Sequence, residues 1–155
     1  MTTTSNPSAE TGIYDSETFQ PGRCVGPLIS RVRLALLDAL DRALAPLNVT
    51  AAQYVVLGTL ASGADSASQI CRGISYDAGA MTRMIDRLEQ RGLLQRVRVA
   101  DDRRTVKLQL TEEGEALYPK MRESAMAVVN DLLRGFTHAE ARQLESFLKR
   151  MLENA

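Results

Sequence analysis

The sequence predicts a mainly α-helical chain in which six amphipathic helices are interrupted once, by a β-hairpin, and three observations predict it. Apolar residues recur at three- and four-residue spacing through most of residues 23–155. Helix starts are marked by Thr, Ser or Asp, several of them followed three positions later by Gln or Glu. Only over residues 93–110 does the period change to two, and there a charged knot, Asp101 to Arg104, separates two alternating runs.

Each element follows from its own residues. Residues 1–22, with Pro7, Gly12, Pro21 and Gly22, hold no sustained period and are expected to form a flexible N-terminal arm. Over residues 23–47, Val25, Leu28, Ile29, Val32, Leu36, Leu40, Leu44 and Leu47 recur at helical spacing, with Pro46 near the end. Thr50 with Gln53 has the form of a capping box, in which each side chain accepts the other's free backbone N–H. The helix it starts carries Tyr54, Val55, Leu57 and Leu60 and stops near Gly63. Ser66 with Gln69 repeats the box before a short helix over residues 68–72. Asp77 caps the next helix, whose buried stripe is Met81, Met84, Ile85 and Leu88 and whose end is Arg91-Gly92. Leu93, Gln95, Val97 and Val99 then alternate with Leu94, Arg96 and Arg98, while Val106, Leu108 and Leu110 alternate with Thr105, Lys107 and Gln109. Two strands of one hairpin are the economical reading. Thr111 caps a fifth helix carrying Leu117, Met121, Val128, Leu132 and Leu133, and Thr137 with Glu140 caps a sixth carrying Leu144, Phe147, Leu148 and Met151.

Composition narrows function by exclusion. The 155 residues suit one domain, although long helices at both ends leave apolar stripes in need of a partner. No apolar run approaches the roughly 18 residues of a membrane span, and the first twenty residues lack the regions of a signal peptide. No membrane partner and a cytoplasmic location are expected. Cys24 and Cys71 lie far apart and, with the single His138, form neither a disulfide framework nor a set of metal ligands. Both thiols are expected to be reduced, and His138 to sit at a helix terminus. No histidine pairs with a nucleophile and no Gly-rich loop cradles a phosphate, so neither an enzyme nor a cofactor is expected. The formal net charge is zero, yet residues 67–111 balance at +4 and the segments on either side at −2 each.

Within that basic middle, two short helices joined tightly, followed by a hairpin, have the composition of a winged helix-turn-helix. The second helix carries Ala78, Gly79, Thr82, Arg83, Asp86 and Arg87 opposite its buried stripe, small residues first and long cations after. Small residues at a helix N-terminus admit close approach of bases and phosphates, where free N–H groups favour an anion. Thr82 and Arg83 are then within reach of base edges: Arg can bridge guanine O6 and N7, and Thr can hydrogen-bond or touch a thymine methyl.

The run "GAMTRMIDRLEQRGLLQRVRVADDRRTVKLQLTEEG" resembles the MarR family of winged helix-turn-helix regulators, whose wing signature is D-x-R, five residues, L-T and a nearby Gly. Here the signature reads Asp102, Arg103, Arg104, Thr105 to Gln109, Leu110-Thr111 and Gly114. The resemblance covers residues 23–155 in the order and length of elements. It implies an intertwined homodimer built from residues 23–47 and 112–155, with residues 48–111 as the DNA-binding domain. It further implies that Arg104 probes the minor groove from the wing tip and that Asp102 braces it, while Arg103 meets phosphate or solvent. A narrow minor groove concentrates negative potential and attracts Arg. Double-stranded DNA carrying a pseudo-palindromic operator is the expected partner, and repression the expected outcome.

Relatives of this kind are commonly released from DNA by small aromatic acids, which implies an anion-binding slot. Arg23 or Arg31, with Gln53 and Tyr54, are the candidates for an aromatic or heteroaromatic carboxylate. Two alternatives stay open. Cys24 lies near the region where the family's peroxide sensors carry a reactive cysteine, although no tyrosine stands between Cys24 and Tyr54 and the cysteine falls about two residues early. A winged helix that serves protein contacts alone is the other, since fold does not dictate function.

Overall fold

The computed structural model describes residues 12–17, 19–73, 77–99 and 102–155, with their side chains except at 72, 73, 99 and 102–105. Helix α1 spans Val25–Leu44 and runs into a short 3-10 turn, Ala45–Leu47; α2 spans Ala51–Ala61, α3 Ala67–Gly73 and α4 Ala78–Gln90. Strands β1, Leu94–Val99, and β2, Asp102–Leu110, precede α5, Glu112–Leu132, and α6, His138–Glu153. Six α-helices and one antiparallel hairpin among the described residues reproduce the order expected from periodicity. Among the described residues, no single helix is long and apolar enough to cross a membrane.

The chain divides into two compact units, residues 1–35 and 36–155. In the first, the Tyr14 ring meets Phe19 edge-on at 5.8 Å, and the Tyr14 hydroxyl accepts the Val25 N–H at 3.3 Å where α1 begins. Cys24 is buried, its thiol 3.5 Å from the Pro21 carbonyl oxygen it donates to.

The second unit is organised by a core to which nearly every element contributes. Leu44, Leu57, Ile70, Met81, Leu88, Leu94 and Met121 are each at most 1% exposed. A side chain so buried contributes about 2 kcal/mol, which makes this cluster the main support of α4 and the hairpin. Both complete capping boxes occur as the spacing predicts, Thr50 with Gln53 and Thr137 with Glu140. Ser66 accepts the Gln69 N–H at 3.4 Å, but the Gln69 amide oxygen takes the Asp65 N–H at 2.7 Å instead of that of Ser66.

The hairpin is anchored along both of its edges. Leu94 pairs with Leu110, Arg96 with Leu108 and Arg98 with Val106, so these six side chains share one face. Leu94 and Leu108 are buried on it. Arg96 and Leu108 form a pair whose N–H groups point outward: Arg96 N–H reaches the Glu89 carboxylate at 3.1 Å, and Leu108 N–H the Asp65 carbonyl at 2.8 Å. Unpaired ribbon edges invite pairing with other chains, and here each is closed at that point. Beyond Arg98 the register breaks, because Val99 pairs with Asp102 and residues 103–105 are surplus on β2. Such a bulge increases local twist. The charged knot therefore belongs largely to β2 and not to an open four-residue tip, while Ala100 and Asp101 lie outside the described residues.

The outermost helices bury little. No residue of α6 is buried, and Phe136, Phe147, Leu148 and Leu152 are exposed, as are Met126, Val129 and Leu132 on α5. The apolar face of α6, read from its spacing, thus stays exposed among the described residues of its unit.

Candidate nucleic-acid interface

Helix α4 is built to show one face. Met81, Ile85 and Leu88 are buried, whereas Ala78, Gly79, Thr82, Arg83 and Arg87 are exposed. Its N-cap, Asp77, accepts the Ala80 N–H at 2.9 Å, and that bond chiefly holds the carboxyl below the usual Asp range, with Arg83 contributing. A Cβ at Gly79 would lie 3.2 Å from the Asp77 carboxylate and 3.6 Å from Arg83 Nη1, so the Arg83 guanidinium lies back over the small residues of the first turn. Thr82 donates its hydroxyl hydrogen to Ala78 O at 2.9 Å. What it offers outward is a methyl group and an oxygen acceptor.

The wing follows α4 after the Arg91-Gly92 terminus, where Gly92 adopts φ +70°, a left-handed turn that suits glycine. Asp102, Arg103 and Arg104 lie in β2 by backbone, and their side chains are outside the described set. Their expected division into brace, phosphate contact and minor-groove probe is carried by the wing signature. At the wing base Arg96 is spent internally: Nη2 donates to Asp86 at 2.6 Å and Nη1 to Glu89. The hydrogen bond to Asp86 is the main cause raising its pKa above the usual Arg value.

A groove of about 330 Å³ lies beside α2, lined by Leu36, Leu40, Tyr54, Arg122, Ala125 and Met126, among others. Tyr54 stacks on Tyr118 with ring centroids 6.4 Å apart, and burial pushes its hydroxyl pKa up, Tyr118 adding to the shift and Arg122 opposing it. Gln53 is occupied otherwise: its amide oxygen accepts the Thr50 N–H at 3.0 Å and Arg91 Nη1 at 3.3 Å. Arg23 and Arg31 are exposed residues of the unit spanning 1–35. Cys24 and Cys71 are free thiols.

This arrangement recurs in known proteins. A sequence profile described as MarR family matches residues 47–105. The chain is 35% identical over 136 residues to the HTH-type transcriptional regulator PecS of Dickeya dadantii, covering 85% of this chain and 81% of that protein. The chain belongs to the MarR family. Among solved structures, a mutant MarR from Escherichia coli complexed with operator DNA superposes with a TM-score of 0.74 at 32% identity, covering 82% of this chain and 92% of that one. Bordetella bronchiseptica BpsR, whose DNA binding is regulated by 6-hydroxynicotinic acid, superposes with a TM-score of 0.76 at 28% identity, covering 88% and 98%.

As a MarR-family transcriptional regulator, the chain has a winged helix whose supports were only partly visible from spacing. Gly114 of the wing signature is a packing residue: a Cβ there would lie 2.0 Å from the Leu93 carbonyl oxygen. Thr111 both caps α5, accepting the Gly114 N–H at 3.1 Å, and donates to Gly92 O. Arg96, Tyr118 and Arg122 were not singled out from sequence. Tyr118 and Arg122, four residues apart on α5, were the available signal for the last two.

Proposed function

We propose that the protein is a homodimeric repressor that occupies a pseudo-palindromic operator and leaves it when a small aromatic or heteroaromatic carboxylate binds. The observation that carries this reading is α4, which exposes Thr82, Arg83 and Arg87 on one face and leads directly into a hairpin bearing Asp102–Arg104. The operator complex of a MarR with 32% identity supports the DNA-binding part. The exposed apolar face of α6, with Phe147 and Leu148, supports a dimer, in which residues 23–47 and 112–155 are the dimerisation segments and 48–111 the DNA-binding domain. Two recognition helices would then enter successive major grooves about 34 Å apart. Occupying a promoter palindrome blocks polymerase without further machinery, which favours repression, exercised in the cytoplasm.

For the effector, the groove at Tyr54 offers an apolar slot with one cation, Arg122, at its wall. An aromatic ring suits the slot and a carboxylate the guanidinium. Regulation of BpsR by a hydroxylated pyridine carboxylate supports the same ligand class. Arg23 and Arg31 stay candidate cations on the unit spanning 1–35, and Gln53 a candidate donor through its amide NH2, its oxygen being held by the helix cap.

Fluorescence anisotropy with duplexes from the gene's own upstream region tests the central claim. Tight binding whose log K falls linearly with log salt is expected, since phosphate contacts release counterions. Folded protein that binds none of these duplexes would refute it. For the effector, a thermal-shift panel of aromatic carboxylates is expected to contain at least one compound that raises stability by mass action and loses its effect in Arg122→Ala.

A further inference from the structure

Helix α4 contains a conflict that its sequence leaves unresolved. The helix exposes Arg83 and Arg87 for an anionic partner, yet on the same few turns it carries two carboxylates, Asp86 and Glu89. Left free beside DNA, each would repel phosphate.

Arg96 on β1 takes both. Its guanidinium donates from Nη2 to Asp86 Oδ1 at 2.6 Å and from Nη1 to Glu89, and its backbone N–H donates to Glu89 Oε1 at 3.1 Å. Glu89 therefore grips the strand by main chain and side chain together. Among the described residues, these are the only ion pairs joining α4 to the hairpin; the other hairpin pair, Lys107 with Asp65 at 2.7 Å, ties β2 to the connection before α3. The clamp sits two residues before the register break at Arg98, the last position at which β1 and β2 keep regular pairing. Everything beyond it, Arg104 included, is carried on the ribbon that Arg96 orients.

We propose that Arg96 is a positioning residue for operator recognition: it sets the wing on the recognition helix so that both reach DNA as one unit, and it offsets part of the charge of the two α4 carboxylates. Arg96 touches no base in this role and acts through Arg104 on one side and through Thr82 and Arg83 on the other. A planar fork holds two carboxylates from separate nitrogens in one fixed geometry, whereas a lysine presents a compact point charge on a flexible stem and fixes neither direction nor spacing. The inference rests on the DNA-binding reading above.

The test uses the full chain and a duplex selected from a random-sequence pool by the wild-type protein, with a scrambled duplex as reference. Folding of each variant is checked by circular dichroism. Arg96→Ala is expected to weaken binding to the selected duplex by about tenfold or more while changing the slope of log K against log salt by much less than one, because no phosphate contact is lost. Arg104→Ala is expected to cost much less in the Arg96→Ala background than alone, since a wing no longer placed has less to lose. Arg96→Lys is expected to restore part of the affinity but little of the preference for the selected duplex. If Arg96→Ala does not fold, Asp86→Ala/Glu89→Ala removes the clamp from the helix side and is expected to lower the selected-to-scrambled ratio. Additive losses for Arg96 and Arg104, or an unchanged ratio in the double alanine variant, would overturn the positioning role. A salt slope reduced by about one would make Arg96 a phosphate contact instead. Wild-type protein that enriches no duplex would remove the DNA-binding reading itself, and this inference with it.

Discussion

Gly114 shows how a single position can be demanded by packing alone. The first turn of α5 presses so close to the Leu93 carbonyl that a methyl group has no room, and the obstacle is backbone, which cannot swing aside. Gly114→Ala should lower unfolding free energy by on the order of 2 kcal/mol in urea titrations, with the hairpin and α5 disturbed together. Asp77 poses a question of charge. Its folded pKa is depressed, chiefly by the Ala80 N–H, so its contribution to α4 is complete above the ordinary Asp range and is lost as pH falls through the depressed value. The protection of first-turn α4 amides, taken relative to their intrinsic exchange rate at each pH, should therefore fall as the solution is acidified through the depressed value, and Asp77→Ala should show the lower protection already at neutral pH. Arg83 is exposed, and its tie to the fold is its charge near the Asp77 cap. Arg83→Ala should narrow discrimination between operator and mismatched duplexes by about 1–3 kcal/mol while leaving the melting temperature close to that of the wild type.

Among the elements, the hairpin depends on what borders its strands. A two-stranded ribbon is marginal alone. Here β1 is held by Glu89 and Arg96, β2 by the Asp65 carbonyl, and the shared face by Leu94 and Leu108. The contributions are unequal. Lys107 and Asp65 form a partly exposed pair, and pairs of that kind contribute about 0.5 kcal/mol or less. Lys107→Ala should shift stability by no more than that, because the Leu108 N–H to Asp65 carbonyl bond survives; a loss of several kcal/mol would show that the ion pair carries the edge. Helix α6 is the opposite case, capped at Thr137 by a complete capping box, amphipathic, and without one buried residue. A sixteen-residue helix is marginal on propensity alone, so its order requires a surface to pack on.

At the scale of the whole molecule, that surface is a second copy in the proposed dimer. Phe147, 47% exposed, and Leu148 are placed to be buried there. Phe147→Glu should shift the protein from dimer to monomer in sedimentation experiments and abolish tight binding to a two-half-site duplex, while a single winged domain retains only weak, salt-sensitive binding. A dimeric Phe147→Glu variant would place the interface elsewhere. The zero net charge is compatible with this assembly because charge is partitioned: the basic excess lies in residues 67–111, and the flanks are acidic.

Local chemistry was readable without any structure. Capping residues announced every helix from α2 to α6, periodicity separated helices from strands, and the wing signature marked the hairpin and the family. These are interactions between residues a few positions apart, and spacing alone specifies them. Tertiary structure decided the rest. It turned Arg96 from a surface cation into a clamp on Asp86 and Glu89, and it moved the knot at 102–104 from an open tip into a bulged strand. It also committed Gln53 to its cap and set Arg122 beside Tyr54. In each case the partner lies on another element, and whether a charge is free or paired depends on how those elements pack, which no local pattern encodes.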